Sequence, residues 1–224
     1  MKRVNVFVGN YGSGKTELSV NAALLLRETY EDVALADADI VNPYFRASEQ
    51  RALLEARGVR VFAPEYASTG VDLPTLPPGV AAAISGRARV VVDCGGDPAG
   101  ATALGALQPY FETARAETEV YFVLNACRPL QRTAREAVEM ARGIEAVCRL
   151  RVTGVINNTN MAGETEAAHL AAGQEIARKA ARALGVPVCY VAGTAEALDA
   201  FAKLFPRDVT PRFPLRLYTR PYWL

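Results

Sequence analysis

The four cysteines, Cys94, Cys127, Cys148 and Cys189, lie far apart and no two stand in a C-x-x-C spacing. Neither a disulfide framework nor a zinc site is signalled. Histidine occurs once, at His169, inside a stretch of helical pattern where no other candidate for chemistry falls, so a helix residue without catalytic duty is expected. Charge of one sign is not in excess: the formal net charge is +1 and the pI is near 7.6. That gives no global field for an extended nucleic-acid footprint. No apolar run approaches a membrane span, and the five strand-like residues after Met1-Lys2-Arg3 are too few for the apolar part of a signal peptide. No membrane, no strong nucleic-acid signal and a reducing cytoplasm are the expectations.

What the chain does contain is a full complement of core residues, 50% hydrophobic over 224 positions, enough for one domain with or without a tail. Its most informative stretch is Gly9-Asn10-Tyr11-Gly12-Ser13-Gly14-Lys15-Thr16. A short β-branched and aromatic run, Val4 to Val8, precedes it. Leu18, Ala22, Leu25 and Leu26 follow at helical spacing. Strand, glycine turn and helix is the context in which G-x-x-x-x-G-K-[ST] reads as a phosphate loop. The glycines leave room for successive N–H groups to curl around a β-phosphate, and the helix start adds partial positive charge. Lys15 is expected on the β- and γ-phosphate oxygens and the Thr16 hydroxyl on Mg²⁺.

The pattern then alternates. Helices are expected near Lys15–Thr29, Ala47–Arg57, Val80–Ser85, Ala99–Glu112, Gln131–Val147 and Glu164–Leu184, with a closing helix capped by Thr194. Strands are expected at Asp32–Ala36, Val59–Phe62, Ala88–Asp93, Val120–Leu124, Val152–Ile156 and Val186–Val191. Pro64–Pro78 reads as a long loop. Alternation of this kind argues a three-layer α/β/α sandwich on a mostly parallel sheet. Residues 1–205 form the expected nucleotide-binding domain. Residues 206–224, rich in Pro, Arg and aromatics, form a C-terminal tail, laid across the domain with an edge strand over Leu215–Tyr218 or serving as a docking arm.

Open α/β sheets place ligands at the carboxyl ends of their strands, which directs attention to the carboxylates found there. Asp93 ends an apolar run and is followed by Cys94-Gly95-Gly96-Asp97. An Asp followed by glycines suits a water-mediated Mg²⁺ contact beside a γ-phosphate sensor, with Gly95 or Gly96 offering an N–H. Cys94 is read as a small packing residue. Asp37 and Asp39 stand two apart after the second strand, so both carboxylates could face the phosphates. Mg²⁺ would offset their mutual repulsion.

The phosphate loop, D-A-D-I-V-N-P-Y-F-R (Asp37–Arg46), V-V-V-D-C-G-G-D (Val90–Asp97) and V-I-N-N-T-N (Val155–Asn160) occur in that order. Together they resemble MinD/ParA/CobQ/CobB-type nucleotide-binding proteins of the SIMIBI class of P-loop NTPases, over about residues 1–205. The resemblance implies Lys15 on the phosphates, Thr16 on Mg²⁺, Asp37 and Asp93 as outer ligands of the metal, and Asp39 orienting the hydrolytic water. It also implies an ATP-dependent homodimer and a protein partner. One position departs from the pattern: typical MinD and ParA members carry a second lysine just after the first loop glycine, and here that residue is Asn10. Arg46 or Arg128 could supply the missing charge.

For the base, the aspartate that pairs guanine in an N-K-x-D motif is replaced by Asn160, which would satisfy the guanine donors only in part, and an unpaired buried donor costs about 1–3 kcal/mol. Asn157 could pair with an adenine edge through its amide. The expected activity is therefore Mg²⁺-dependent ATP binding and hydrolysis, acting as a nucleotide switch for a partner. Two rivals share the scaffold. One is an ATP-dependent small-molecule kinase or ligase of the dethiobiotin synthetase type, using Pro64–Pro78 and the tail arginines. The other is a GTPase metallochaperone, disfavoured by the scarcity of His and paired Cys.

Overall fold

A strand covered on both faces has no solvent side to mark with polar residues, so its sequence runs apolar without alternation. Val4–Val8 (β1) has every residue buried, as has Val33–Ala38 (β2), and Arg89–Cys94 (β4) is buried beyond its first position. In the computed structural model, which describes residues 1–38, 50–63, 79–96 and 98–219, these are central strands. The other strands are Val59–Phe62 (β3), Thr118–Leu124 (β5), Gly154–Asn157 (β6), Val188–Gly193 (β7) and Arg212–Pro214 (β8). They form one eight-stranded sheet in the order β3-β2-β4-β1-β5-β6-β7-β8, and every pairing is parallel. The expected α/β/α sandwich is what forms.

The helices are Lys15–Arg27 (α1), Arg51–Ala56 (α2), Val80–Ser85 (α3), Pro98–Ala106 (α4), Gln108–Thr113 (α5), Ala134–Cys148 (α6), Ala167–Leu184 (α7) and Ala195–Leu204 (α8). On one face of the sheet, α3 to α7 bury Ile84, Leu104, Phe111, Ala141 and Ala177 against Val6, Val92 and Phe122. On the other, α1 and α2 bury Leu18, Ala22 and Leu54 against Phe7, Leu35 and Val91. That second face would leave β5–β7 thinly covered. The tail supplies the cover: Phe213 and Leu215 join the same cluster as Tyr121, Ile156 and Ala192. Phe7 and Tyr121 stack at 5.4 Å between ring centres.

Several boundaries differ from expectation for local reasons. The single helix expected over 99–112 is two, because Pro109 has no N–H for a continuing helix and instead sits at the start of α5. Helix α6 begins at Ala134 rather than Gln131, because Thr133 and Glu136 form a capping box, with bonds of 3.2 and 2.8 Å. Helix α7 begins at Ala167 rather than Glu164: His169 Nδ1 accepts the Glu166 N–H at 3.0 Å and fixes that start. The tail strand is Arg212–Pro214, upstream of the expected Leu215–Tyr218. The expected helix start at Ala47, Tyr44, the loop Pro64–Pro78 and the last residues from Arg220 lie outside the described residues. Among the described residues, no helix is long and apolar enough to cross a membrane.

Asp208 anchors the approach to β8. Burial alone would push its pKa up. The Thr210 hydroxyl and N–H, the latter at 2.9 Å, and Arg178 at 3.1 Å outweigh this and hold it below the usual carboxylate range. A depressed folded pKa contributes stability above the unfolded carboxylate value and loses it as pH falls through the folded one. Asp208→Asn is therefore expected to lower stability at pH 7, with the gap to wild type closing below about pH 4, as read by urea titration at both pH values.

Candidate functional site

The glycine-rich loop expected to bind phosphate follows β1 directly. Its glycines take φ 156° (Gly9), 71° (Gly12) and 87° (Gly14). Gly14 is the left-handed N-cap of α1 and offers no side chain to cap it. The first-turn amides of this 13-residue helix thus depend on something else for partners. No hydrogen bond to the amides of Gly12, Gly14 or Thr16 occurs among the described residues. The loop carbonyls, by contrast, are held by side chains from three directions. Lys15 Nζ donates to Asn10 O at 2.9 Å, Arg128 Nε to Gly12 O at 3.2 Å, and Asn158 Nδ2 to Ser13 O at 2.8 Å. With the Asn10, Gly12 and Ser13 carbonyls occupied and the Gly12, Gly14 and Thr16 amides unbonded among the described residues, the loop offers N–H groups that suit an anion.

The carboxylates sit at the same end of the sheet. Asp37 pairs in register with Asp93 across β2 and β4, and Asp93 pairs with Phe7 of β1. In-register neighbours project to one face, the α1 face, where Ser19 Oγ donates to Asp93 Oδ1 at 3.2 Å. Both carboxylates are fully buried and Lys15 is 6% exposed. Beyond Asp93 the chain turns onto the phosphate loop. A Cβ built on Gly96 would fall 2.6 Å from the Tyr11 nitrogen and 3.0 Å from Lys15 Nζ. Only glycine fits this approach. Gly95 is buried beside it, and Cys94 is packed in the core at 1% exposure.

Thr16, Asp37 and Asp93 offer hard oxygen donors close to the loop, the set that suits Mg²⁺. No group of three or more His, Cys, Asp or Glu side chains able to hold a metal occurs among the described residues. Asp39, Arg46 and Asp97 lie outside the described residues.

Asn157 requires correction. Its side chain is fully buried, with Nδ2 donating to Leu170 O at 2.9 Å and to Gln174 Oε1 at 3.2 Å, and Oδ1 accepting the Thr159 N–H at 3.2 Å. Donors and acceptor alike bind β6 to α7, so none faces a base. Its neighbour Asn158 is the residue that touches the phosphate loop. Asn160 donates through Nδ2 to Asn158 O at 2.7 Å and accepts from Ala162 at 3.2 Å. Sequence reasoning missed Asn158 because adjacent residues leaving a strand point to opposite sides, and only the fold shows which side meets the loop.

No protein-family model matches the chain, and comparison with curated protein sequences gives no significant match. Solved structures do match. Cell division protein FtsY from Thermotoga maritima aligns with a TM-score of 0.56 at 24% identity, covering 88% of this chain and 63% of that one. Chloroplast FtsY from Physcomitrella patens gives 0.54 at 20% identity, covering 85% and 58%. The signal recognition particle receptor FtsY from Elizabethkingia anophelis, in complex with GDP, gives 0.52 at 21% identity, covering 86% and 57%. The chain thus spans about three fifths of the length of these structures. The likeness is one of fold: a parallel α/β sheet flanked by helices.

Proposed function

We propose that this chain is a Mg²⁺-dependent nucleoside triphosphatase of the MinD/ParA-like kind, with ATP as its nucleotide, which reports nucleotide state to a protein partner. The observation that carries the reading is the phosphate loop with its carbonyls tied back, beside Lys15 and the in-register pair Asp37 and Asp93. Loop amides and the α1 N-terminus bind the phosphates, and Lys15 neutralises the β- and γ-oxygens. Thr16, Asp37 and Asp93 are the residues that would hold Mg²⁺ beside the phosphates. When bound, the ion offsets charge on the phosphate oxygens. Asp39, assigned from sequence, orients the water. The water oxygen bonds to the γ-phosphorus as the bond to the β–γ bridging oxygen breaks. The diphosphate leaves with the electron pair, and the water protons pass to phosphate and solvent.

The choice of ATP rests on Asn160 standing where a guanine-binding aspartate would be needed. GTP is the second reading, favoured by the GDP in the Elizabethkingia anophelis neighbour. Exposed Tyr11, Leu130 and Met161 lie on loops at this end of the sheet, which supports a partner or a second copy docking there. The kinase reading would need the tail arginines for an acceptor. It loses one of them: Arg212 donates to Thr210 O at 3.0 Å and lies over the Phe201 ring.

Thermal shift with Mg-ATP, Mg-GTP and metal-free controls tests the base. A shift with GTP equal to or larger than that with ATP would overturn the choice of ATP. Asp39→Ala is expected to keep nucleotide binding and remove phosphate release. Wild-type turnover in that variant would overturn the assignment of the water-orienting residue.

A further inference from the structure

Asn10 stands where a second lysine would bring positive charge to the phosphate loop. Its side chain is turned outward, with Nδ2 donating to Pro129 O at 3.1 Å. That bond brings the β5–α6 loop onto the phosphate loop, and the β5–α6 loop is firmly held. Asn125 is fully buried. Its Oδ1 accepts from the N–H groups of Cys127 at 3.0 Å and Asn160 at 3.2 Å, and its own N–H goes to Gln131 Oε1 at 2.8 Å. The Arg128 N–H closes the turn on Asn125 O at 3.0 Å.

Arg128 is thus carried on a braced turn rather than a loose arm, and its side chain lies along Gly12. A Cβ built on Gly12 would be 3.4 Å from Arg128 Nε and 3.7 Å from Cζ. Among the described residues, the Nε–H bonded to Gly12 O is the Arg128 side-chain donor in use, leaving the two terminal amino groups of the guanidinium. Lys15 and Arg128 therefore bring two cations to carbonyls two residues apart on one loop. A guanidinium also presents parallel donors matched to phosphate oxygens, which an ammonium does not.

We infer that Arg128 is a catalytic residue of the phosphate site, supplied by the chain's own β5–α6 loop in place of the charge absent at Asn10. Its Nε anchors it on Gly12, and its terminal amino groups stabilise the negative charge that grows on the phosphate oxygens as the β–γ bond breaks. The inference rests on the nucleotide reading above and adds to it a self-contained source of transition-state charge.

The test compares wild type, Arg128→Ala, Arg128→Lys and Arg132→Ala, the last an exposed residue of the same loop. Mg-ATP affinity, phosphate release and melting without ligand are measured for each, with guanidinium ion added back at sub-denaturing concentration. Arg128→Ala is expected to lower kcat by about 10²–10³-fold while the ATP Kd moves by less than about threefold. Guanidinium ion should restore part of that turnover, Arg128→Lys should remain low, and Arg132→Ala should behave as wild type.

Turnover of Arg128→Ala within about threefold of wild type would overturn the inference. So would a joint loss of binding and turnover without rescue, since that marks a brace and nothing more. A wild-type chain that binds ATP without hydrolysing it overturns the inference and leaves the nucleotide site standing. One that binds no nucleotide overturns the proposed function as well.

Discussion

Lys15→Ala is expected to abolish the thermal stabilisation that saturating Mg-ATP confers on the wild-type chain. Ligand at 100 times its Kd adds about 2.7 kcal/mol to the folded state. For a domain of this size that is roughly 5–11 °C in Tm. The lysine is buried to 6% exposure at the start of α1, with Nζ on the Asn10 carbonyl 2.9 Å away. An ammonium so placed meets incoming phosphates without having to be recruited from solvent. Removing it also removes a donor to the loop, so melting without ligand moves too, and the decisive quantity is the difference with and without nucleotide in each protein. A variant that keeps the wild-type nucleotide shift would remove Lys15 from the phosphate site. The assignment of the loop would fall with it.

The second large effect lies one residue past Thr16. Glu17, 9% exposed, receives the tail. Oε1 accepts from the Tyr218 N–H at 2.7 Å, and Oε2 accepts from the Thr219 N–H at 3.0 Å and the Thr219 hydroxyl at 2.6 Å. One turn along, Asn21 exchanges two bonds of 2.9 Å with the backbone of Arg216. Glu17→Ala leaves the three tail donors without their acceptor at a half-buried seam and also removes the 3.3 Å bond from Asn21 Nδ2 to Oε1. Donors bonded to a charged group contribute about 1.5–3 kcal/mol, and water can replace part of this here, so a net loss of about 2–3 kcal/mol is expected. Chemical denaturation measures the loss. Limited proteolysis should show cleavage after Arg216 appearing in the variant and not in the wild type. Unchanged stability with an equally protected tail would mean that the apolar contacts of Phe213 and Leu215 hold the segment without the carboxylate. Glu17→Gln, which keeps the shape and loses the charge, is expected to fall between the two.

How far the sequence was legible depended on how local each signal was. The strand, glycine turn and helix around Lys15 are contiguous, so periodicity and φ-permissive residues located them without reference to the rest of the chain. Asp93 was legible because an unbroken apolar run can end only at the edge of the sheet. Boundaries slipped where a side chain overrode the pattern, as Thr133 did by capping α6 three residues late and Pro109 by dividing a helix. Asn157 and Asn158 were harder. They are neighbours of the same type, and which of them turned inward was decided by α7, whose Leu170 and Gln174 lie 13 and 17 residues on.

By itself the sequence determined a parallel α/β sheet with a glycine-rich loop between its first strand and helix and two aspartates at adjoining strand ends, because each of these is encoded within a few consecutive residues. Only the tertiary structure decided what grips that loop and what covers the back of the sheet. Arg128 reaches Gly12 across 116 positions, Asn158 reaches Ser13 across 145, and Tyr218 reaches Glu17 across 201. Contacts at such separations leave no periodicity in the chain. They arise when the sheet order brings β5, β6 and the tail alongside β1 and α1, and a hydrogen bond then forms wherever a donor and an acceptor meet.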